Sequence, residues 1–168
     1  QTSARMLGDR LLAAADESHV ATNDGDRFGI VVFVEGKPPR TFRSGSAAQP
    51  LTKALALRLL GDSIQMLVAS RPCAISTATL IDEAGIAPTA PPYTQLVMSP
   101  KETIWAVRTG ANDTERLVDL YSASTGYIGW AKIGKLNPVA FLSDGGIVSL
   151  EKDDGDTPVV VVYDVVQR

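Results

Sequence analysis

One cysteine, Cys73, and one histidine, His19, are all that this 168-residue chain holds of the two residue types that most often build disulfide frameworks and metal centres. A single thiol excludes an intrachain disulfide, and Cys73 beside the apolar Ala74 and Ile75 is expected to pack as a small buried hydrophobe. A single imidazole excludes a multi-histidine metal site. Asp16, Glu17 and Ser18 precede His19, yet adjacency in sequence does not make a catalytic triad. No Gly-x-Ser-x-Gly nucleophile motif is present, so His19 is read as a solvated loop residue. Basic charge is also scarce: 16 Lys and Arg against 19 Asp and Glu leave a net charge of −3. Nucleic acid is therefore disfavoured as a partner, because phosphates call for a basic face. No apolar run approaches the ~20 residues that a membrane-spanning helix needs.

Ligand-binding loops are missing as well. Gly8, Gly25 and Gly29 are not followed by the Gly-Lys-Ser ending and helix of a phosphate loop. Asp153-Asp154-Gly155-Asp156 is the densest carboxylate group, but Thr157-Pro158-Val159 returns at once to strand and the downstream glutamate of a calcium loop is absent. It reads as an acidic hairpin turn, as do Asn23-Asp24-Gly25-Asp26 and Asn112-Asp113. On this reading the chain has no catalytic residue, no metal and no cofactor.

What the chain does have is a phrase that recurs about every 42 residues. Ile104-Trp105-Ala106-Val107-Arg108, a polar loop, Leu117-Val118-Asp119-Leu120-Tyr121 and the turn Ser122 to Gly126 form the clearest copy. Ile147-Val148-Ser149-Leu150-Glu151, a polar loop and Val159 to Asp164 form the second, so that Tyr163 answers Tyr121. A looser copy runs from Arg10 to Ala15, through a polar loop, to Ile30-Val31-Val32-Phe33-Val34 and the turn Glu35-Gly36-Lys37. Periods of this length with about four short strands each are the mark of β-propeller blades. The expected fold is all-β: a partial or small propeller of about three to four four-stranded antiparallel blades, forming a single domain over residues 1–168.

Within that domain, residues 7–45 read as blade-like, with Leu11 and Leu12 leading into Ala15 and Arg40-Thr41-Phe42-Arg43 closing the unit. Residues 46–61 are a helical insertion near 52–60, capped by Thr52 at its start and Gly61 at its end. Residues 62–92 are expected to hold a degenerate blade, with strands over Ser63–Val68 and Ala74–Ile81, and then an extended, unpaired linker made by Pro88, Pro91 and Pro92. Residues 93–134 and 135–168 are two further blades, with the turns Ser99-Pro100-Lys101-Glu102 and Ser143-Asp144-Gly145-Gly146 at their first hairpins.

The order of apolar strand, Ser-Pro-Lys-Glu turn, Ile104 to Arg108, polar loop, Val118-Asp119-Leu120-Tyr121 and Gly126-Tyr127-Ile128-Gly129 resembles bacterial six-bladed β-propellers. Their blades carry a turn followed by Leu-Trp-Val and then a Val-Tyr-Asp-x-x-Gly phrase. The resemblance covers residues 93–168 best and extends to 28–61. It implies blades around a central channel and an exported protein. The chain holds about four periods where six close that ring, so it resembles the C-terminal part of such a protein.

Two classes of function follow. The first is a non-catalytic scaffold or accessory subunit that binds another protein, as an extracytoplasmic, periplasmic subunit peripheral to a membrane-bound complex such as an electron-transfer or photosynthetic assembly. The start Gln1-Thr2-Ser3-Ala4, without Met, suits a processed or a truncated start, and a removed secretory signal would leave such an end. The alternative is a ligand-binding or hydrolytic propeller of lactonase type, holding a metal in its channel with carboxylates and Asn. Trp105, Trp130, Tyr93, Tyr121, Tyr127 and Phe141 are expected to fill space between sheets. Trp130, Tyr127 and Arg108 are the candidate partner-binding residues, since Trp, Tyr and Arg are the favoured interface anchors. Trp130, on an outer strand, is the expected surface anchor.

Overall fold

Three antiparallel meanders and one inserted unit make up the chain, seen in a computed structural model that describes residues 12–25, 27–68, 71–110 and 114–164. Leu11, Asp26, Asn112 and Asp113 lie outside the described residues. Sheet 1 takes the order β1 (Ala13–Ala15), β2 (His19–Asn23), β3 (Gly29–Val34) and β4 (Arg40–Arg43). Sheet 2 comprises β7 (Tyr93–Met98), β8 (Thr103–Arg108), β9 (Arg116–Ser122) and β10 (Gly126–Gly134). Sheet 3 comprises β11 (Pro138–Phe141), β12 (Ile147–Lys152) and β13 (Pro158–Tyr163), one strand fewer than expected among the described residues. Between sheets 1 and 2 stands an insertion of α1 (Lys53–Leu60), β5 (Ser63–Val68), β6 (Arg71–Ser76) and α2 (Thr77–Ala84). The protein is mostly β, and no closed ring forms among the described residues.

Local chemistry sets the turns. Asp24 N–H bonds to the Gly29 carbonyl and Arg27 N–H to that of Asp24, while the Asp24 carboxylate meets Arg43 Nε at 3.1 Å. Asp153 Oδ1 accepts from the N–H groups of Gly155 and Thr157, both at 2.9 Å, closing the acidic hairpin on itself. Such side-chain turns satisfy backbone donors that the ladder leaves over.

The repeat is visible in the register. Ile104 lies opposite Met98 and Tyr121 in sheet 2, as Ile147 lies opposite Phe141 and Tyr163 in sheet 3. One step on, Trp105 faces Val97 and Leu120 where Val148 faces Ala140 and Val162. Because side chains alternate across a strand, these two rows lie on opposite faces of their sheets. First strands lie together: β7 packs against β1 and β2 on one side and against β11 on the other. The main core fills the space between sheets 1 and 2, with Ala21, Ile30 and Val32 against Tyr93, Ile104, Ala106 and Tyr121. Each large side chain fully buried there contributes about 1.5–3 kcal/mol.

Four expectations give way. Ala74–Ile81 is not one strand: β6 ends at Ser76 and α2 begins at Thr77. Its Ile81 is buried with Leu51, Ala56, Ala87 and Ala90, and the positive φ of Gly85 ends the helix, its N–H bonding to the Ile81 carbonyl. The insertion thus has two helices and a hairpin rather than one helix and a blade. The proline-rich stretch is paired, because Pro50 bridges Thr89, Leu51 N–H reaches the Pro88 carbonyl and Ala90 N–H reaches that of Gln49. Cys73 is exposed, since the β5–β6 hairpin forms a sheet of only two strands. His19 opens β2 rather than lying in a solvated loop; its side chain is 11% exposed and its Nδ1 meets the Asp16 carboxylate at 3.2 Å. That carboxylate also accepts from the N–H groups of Ser18 and His19, so it organises the β1–β2 turn.

Candidate functional site

Alternation along β9 places Leu117, Asp119 and Tyr121 on the face turned towards sheet 1. Asp119 is fully buried and lies opposite the small Ala106. Tyr93 and Arg108 face each other across β7 and β8, and both reach it. Arg108 Nη2 donates to Asp119 Oδ1 at 2.5 Å, the Tyr93 hydroxyl donates to Oδ2 at 2.9 Å, and the Tyr127 hydroxyl adds a longer bond of 3.4 Å to Oδ1. Tyr93 and Tyr121 share a hydroxyl contact of 2.7 Å. Phe28, from the turn between β2 and β3, packs its ring edge-to-face with Tyr93 at 5.5 Å and under the Arg108 guanidinium at 5.7 Å.

Burial governs the proton chemistry of this group. Desolvation pushes the Tyr121 phenol up to about 12 and the Tyr93 phenol further, with the nearby Asp119 charge adding to both. Tyr127 is raised for the same reasons. For Arg108, desolvation works downwards, but the hydrogen bond and charge of Asp119 outweigh it and the guanidinium is held above its ordinary value. Every phenol stays protonated at neutral pH, and both Asp119 oxygens are occupied. An arrangement so saturated fixes geometry; it supplies no free base or nucleophile.

Next to this network opens a cleft of about 510 Å³, bounded by Phe28, Gln49, Arg108, Thr109, Glu115 and Leu117. Gln49 Nε2 holds the Thr109 carbonyl at 2.8 Å. Among the described residues, Arg108 Nε and Thr109 Oγ1 are buried without a hydrogen-bond partner.

The outer rim differs in character. Trp130 is 61% exposed and Ile128 57% exposed, both on β10, the last strand of sheet 2. On sheet 3, Leu150, Val160 and Val162 are exposed on a single face.

The structure brings Trp130, Tyr127 and Arg108 around one residue. Arg108 and Tyr127 both bond to Asp119, and Trp130 is its register partner on β10. Arg108 and Tyr127 are thereby engaged inside the protein, and of the three it is Trp130 that faces outward. Trp105 meets Phe141 edge-on at 5.2 Å between sheets 2 and 3, and Tyr121 meets Tyr127 at 5.3 Å. Asp119 itself escapes a reading of motifs, although a lone carboxylate inside Leu117-Val118-Asp119-Leu120-Tyr121, in phase with a tyrosine, is a signal for a buried partnered charge. Among the described residues no three His, Cys, Asp or Glu side chains gather as metal ligands would. No protein family, curated protein or solved structure matches the chain.

Proposed function

We propose that this chain is a non-catalytic scaffold or accessory subunit that docks onto another protein through its outer strand β10, and that its three meanders are consecutive blades of a propeller arc. The observation that carries the docking is the exposure of Trp130 and Ile128 beside each other on an edge strand. A large aromatic on an edge is a favoured interface anchor, and native proteins cover such strands. The arc reading is supported by the adjacent first strands and by the matching registers of sheets 2 and 3. Placement outside the cytoplasm, peripheral to a membrane complex, rests on the resemblance; no helix among the described residues is long and apolar enough to cross a membrane.

The test is recovery of the native complex from membrane and soluble fractions by size-exclusion chromatography. The wild-type chain should elute above its own mass with a stoichiometric second polypeptide, and Trp130→Ala combined with Ile128→Ser should elute without it. Retention of that polypeptide by the folded double variant would overturn the reading. A second reading, a ligand-binding or hydrolytic propeller, is favoured by the cleft beside Arg108 and Thr109. Lactone or ester hydrolysis that Thr109→Val abolishes at unchanged stability would decide for it.

A further inference from the structure

Two clefts meet at Phe28 and Ser46, and they differ in charge. The larger is the cleft of about 510 Å³ that Arg108 and Thr109 border. The smaller, of about 340 Å³, is lined by Arg27, Phe28, Arg43, Gly45, Ser46 and Ala48. Each lies within the ~300–1,000 Å³ usual for small-molecule sites. Their shared wall is set locally, because Ser44 N–H bonds to the Phe28 carbonyl at 2.9 Å and ties the chain leaving β4 to the β2–β3 turn.

The smaller cleft is basic. Both charged residues in its lining are arginines. The Arg27 side chain has no partner among the described residues, and Arg43 gives only its Nε to Asp24, at 3.1 Å, so its terminal nitrogens stay unbonded among them. In a chain of net charge −3, two guanidiniums with donors to spare mark a place for an anion. The larger cleft is polar but balanced: Arg108 is paired with Asp119 and Glu115 with Lys132, while Arg58 at its mouth holds the Gly110 carbonyl. Gln49 gives Nε2 to the Thr109 carbonyl and keeps Oε1 as an acceptor. Thr109 is 5% exposed, and its hydroxyl is buried without a partner among the described residues. An unpaired buried hydroxyl is costly to the empty protein, and rotation about χ1 exchanges it with the Thr109 methyl and turns it into the cleft.

From this we infer that the joined clefts bind a sugar phosphate, with the phosphate between Arg27 and Arg43 and the hydroxylated ring beside Gln49, Thr109 and Glu115. A phosphorylated polyol matches both ends. Its dianion supplies acceptor oxygens to the guanidiniums, and its hydroxyls donate to Gln49 Oε1 and the Glu115 carboxylate and accept from Thr109. A nucleobase would need an aromatic face to stack on, whereas Phe28 is only 9% exposed, with its ring already against Tyr93 and Arg108. The assignment rests on the ligand-binding reading of this cleft and is independent of docking through β10, which Trp130 and Ile128 variants test separately.

The experiment is titration calorimetry of the full chain with glucose 6-phosphate and with inorganic phosphate. Glucose 6-phosphate should bind with a Kd below about 1 mM, and inorganic phosphate at least about 10-fold more weakly. Arg27→Gln should weaken both at least about 10-fold. Thr109→Val should weaken glucose 6-phosphate alone, by about 5-fold or more, without lowering the thermal midpoint of the empty protein, which loss of a structural hydroxyl would lower. Both variants should keep the wild-type circular dichroism, since the Arg27 side chain is exposed and makes no bond among the described residues and valine nearly matches threonine in shape. Failure of glucose 6-phosphate to bind, undiminished binding by Arg27→Gln, or a Thr109→Val loss that falls equally on inorganic phosphate would each overturn the inference. Binding or turnover of a neutral lactone or ester by a chain that ignores glucose 6-phosphate would overturn it as well, and would leave the ligand-binding reading standing.

Discussion

Removing both ends of the buried Arg108–Asp119 pair should cost little more than removing one. Arg108→Met leaves a fully buried carboxylate whose remaining partners are the Tyr93 and Tyr127 hydroxyls, and breaking a buried pair costs about 3–5 kcal/mol, here about 3 because two donors stay. Asp119→Ala leaves the guanidinium, whose side chain is 19% exposed, without its acceptor, and strips an acceptor from two phenols as well, for about 4 kcal/mol. The double variant removes both charges and should lose about 4 kcal/mol rather than about 7, a coupling of about 3 kcal/mol. Urea unfolding followed by Trp fluorescence and circular dichroism measures all three, provided the slope against urea is unchanged. Single losses below about 1 kcal/mol, or losses that add within about 0.5 kcal/mol, would show that Asp119 does not hold the network together.

Three further outcomes are expected. Gly126 has a φ of 101°, and a Cβ there would meet Phe42 Cδ1 at 2.7 Å, so Gly126→Ala should destabilise by about 2 kcal/mol in the same urea assay, with Phe42→Ala in the Gly126→Ala background recovering little because the backbone strain remains. All four tyrosines, Tyr93, Tyr121, Tyr127 and Tyr163, are raised above the ordinary 10.0. A group raised in the folded state stabilises fully below its unfolded value and loses that contribution above it, so stability should fall from pH 10 towards 12 and phenolate absorbance should lag behind that of the unfolded chain. Thr52 Oγ1 accepts from Leu55 N–H at 3.2 Å at the start of α1, and Thr52→Ala should cost about 1 kcal/mol, seen as faster hydrogen exchange in α1 before any change in the sheets.

The strands were the legible part of the sequence, and the reason is period. Ile104 to Val107 is a short apolar run, as a strand buried on both faces must be, and along Ile147 to Lys152 burial alternates because one face of sheet 3 is covered more fully than the other. Thr52 and Gly61 were legible as caps because capping is chemistry between neighbours in the chain. Thr77 to Ile81 misled for the opposite reason. Its β-branched residues favour a strand locally, but Ile81 finds its burial against Leu51 and Ala56, more than twenty positions upstream, and that tertiary contact decides for helix. The Pro88 carbonyl that receives Leu51 N–H is equally non-local. Asp119 was passed over because its partners, Tyr93, Arg108 and Tyr127, come from three other strands, and only the register brings them to one point.

The bridge of Pro50 to Thr89 has a consequence for how the chain is assembled from parts. The segment between them leaves the sheet framework and returns to it at one place, with Gln49 and Leu51 hydrogen-bonded to Ala90 and Pro88, and it carries its own small core of Leu51, Ala56, Ile81, Ala87 and Ala90 apart from that of the sheets. A unit whose entry and exit are tied at the neck behaves as a cassette. Residues between Leu51 and Pro88 can be exchanged for a two-residue turn without asking β4 or β7 to move, or replaced by a foreign domain whose termini lie equally close, leaving the sheets on either side in their places.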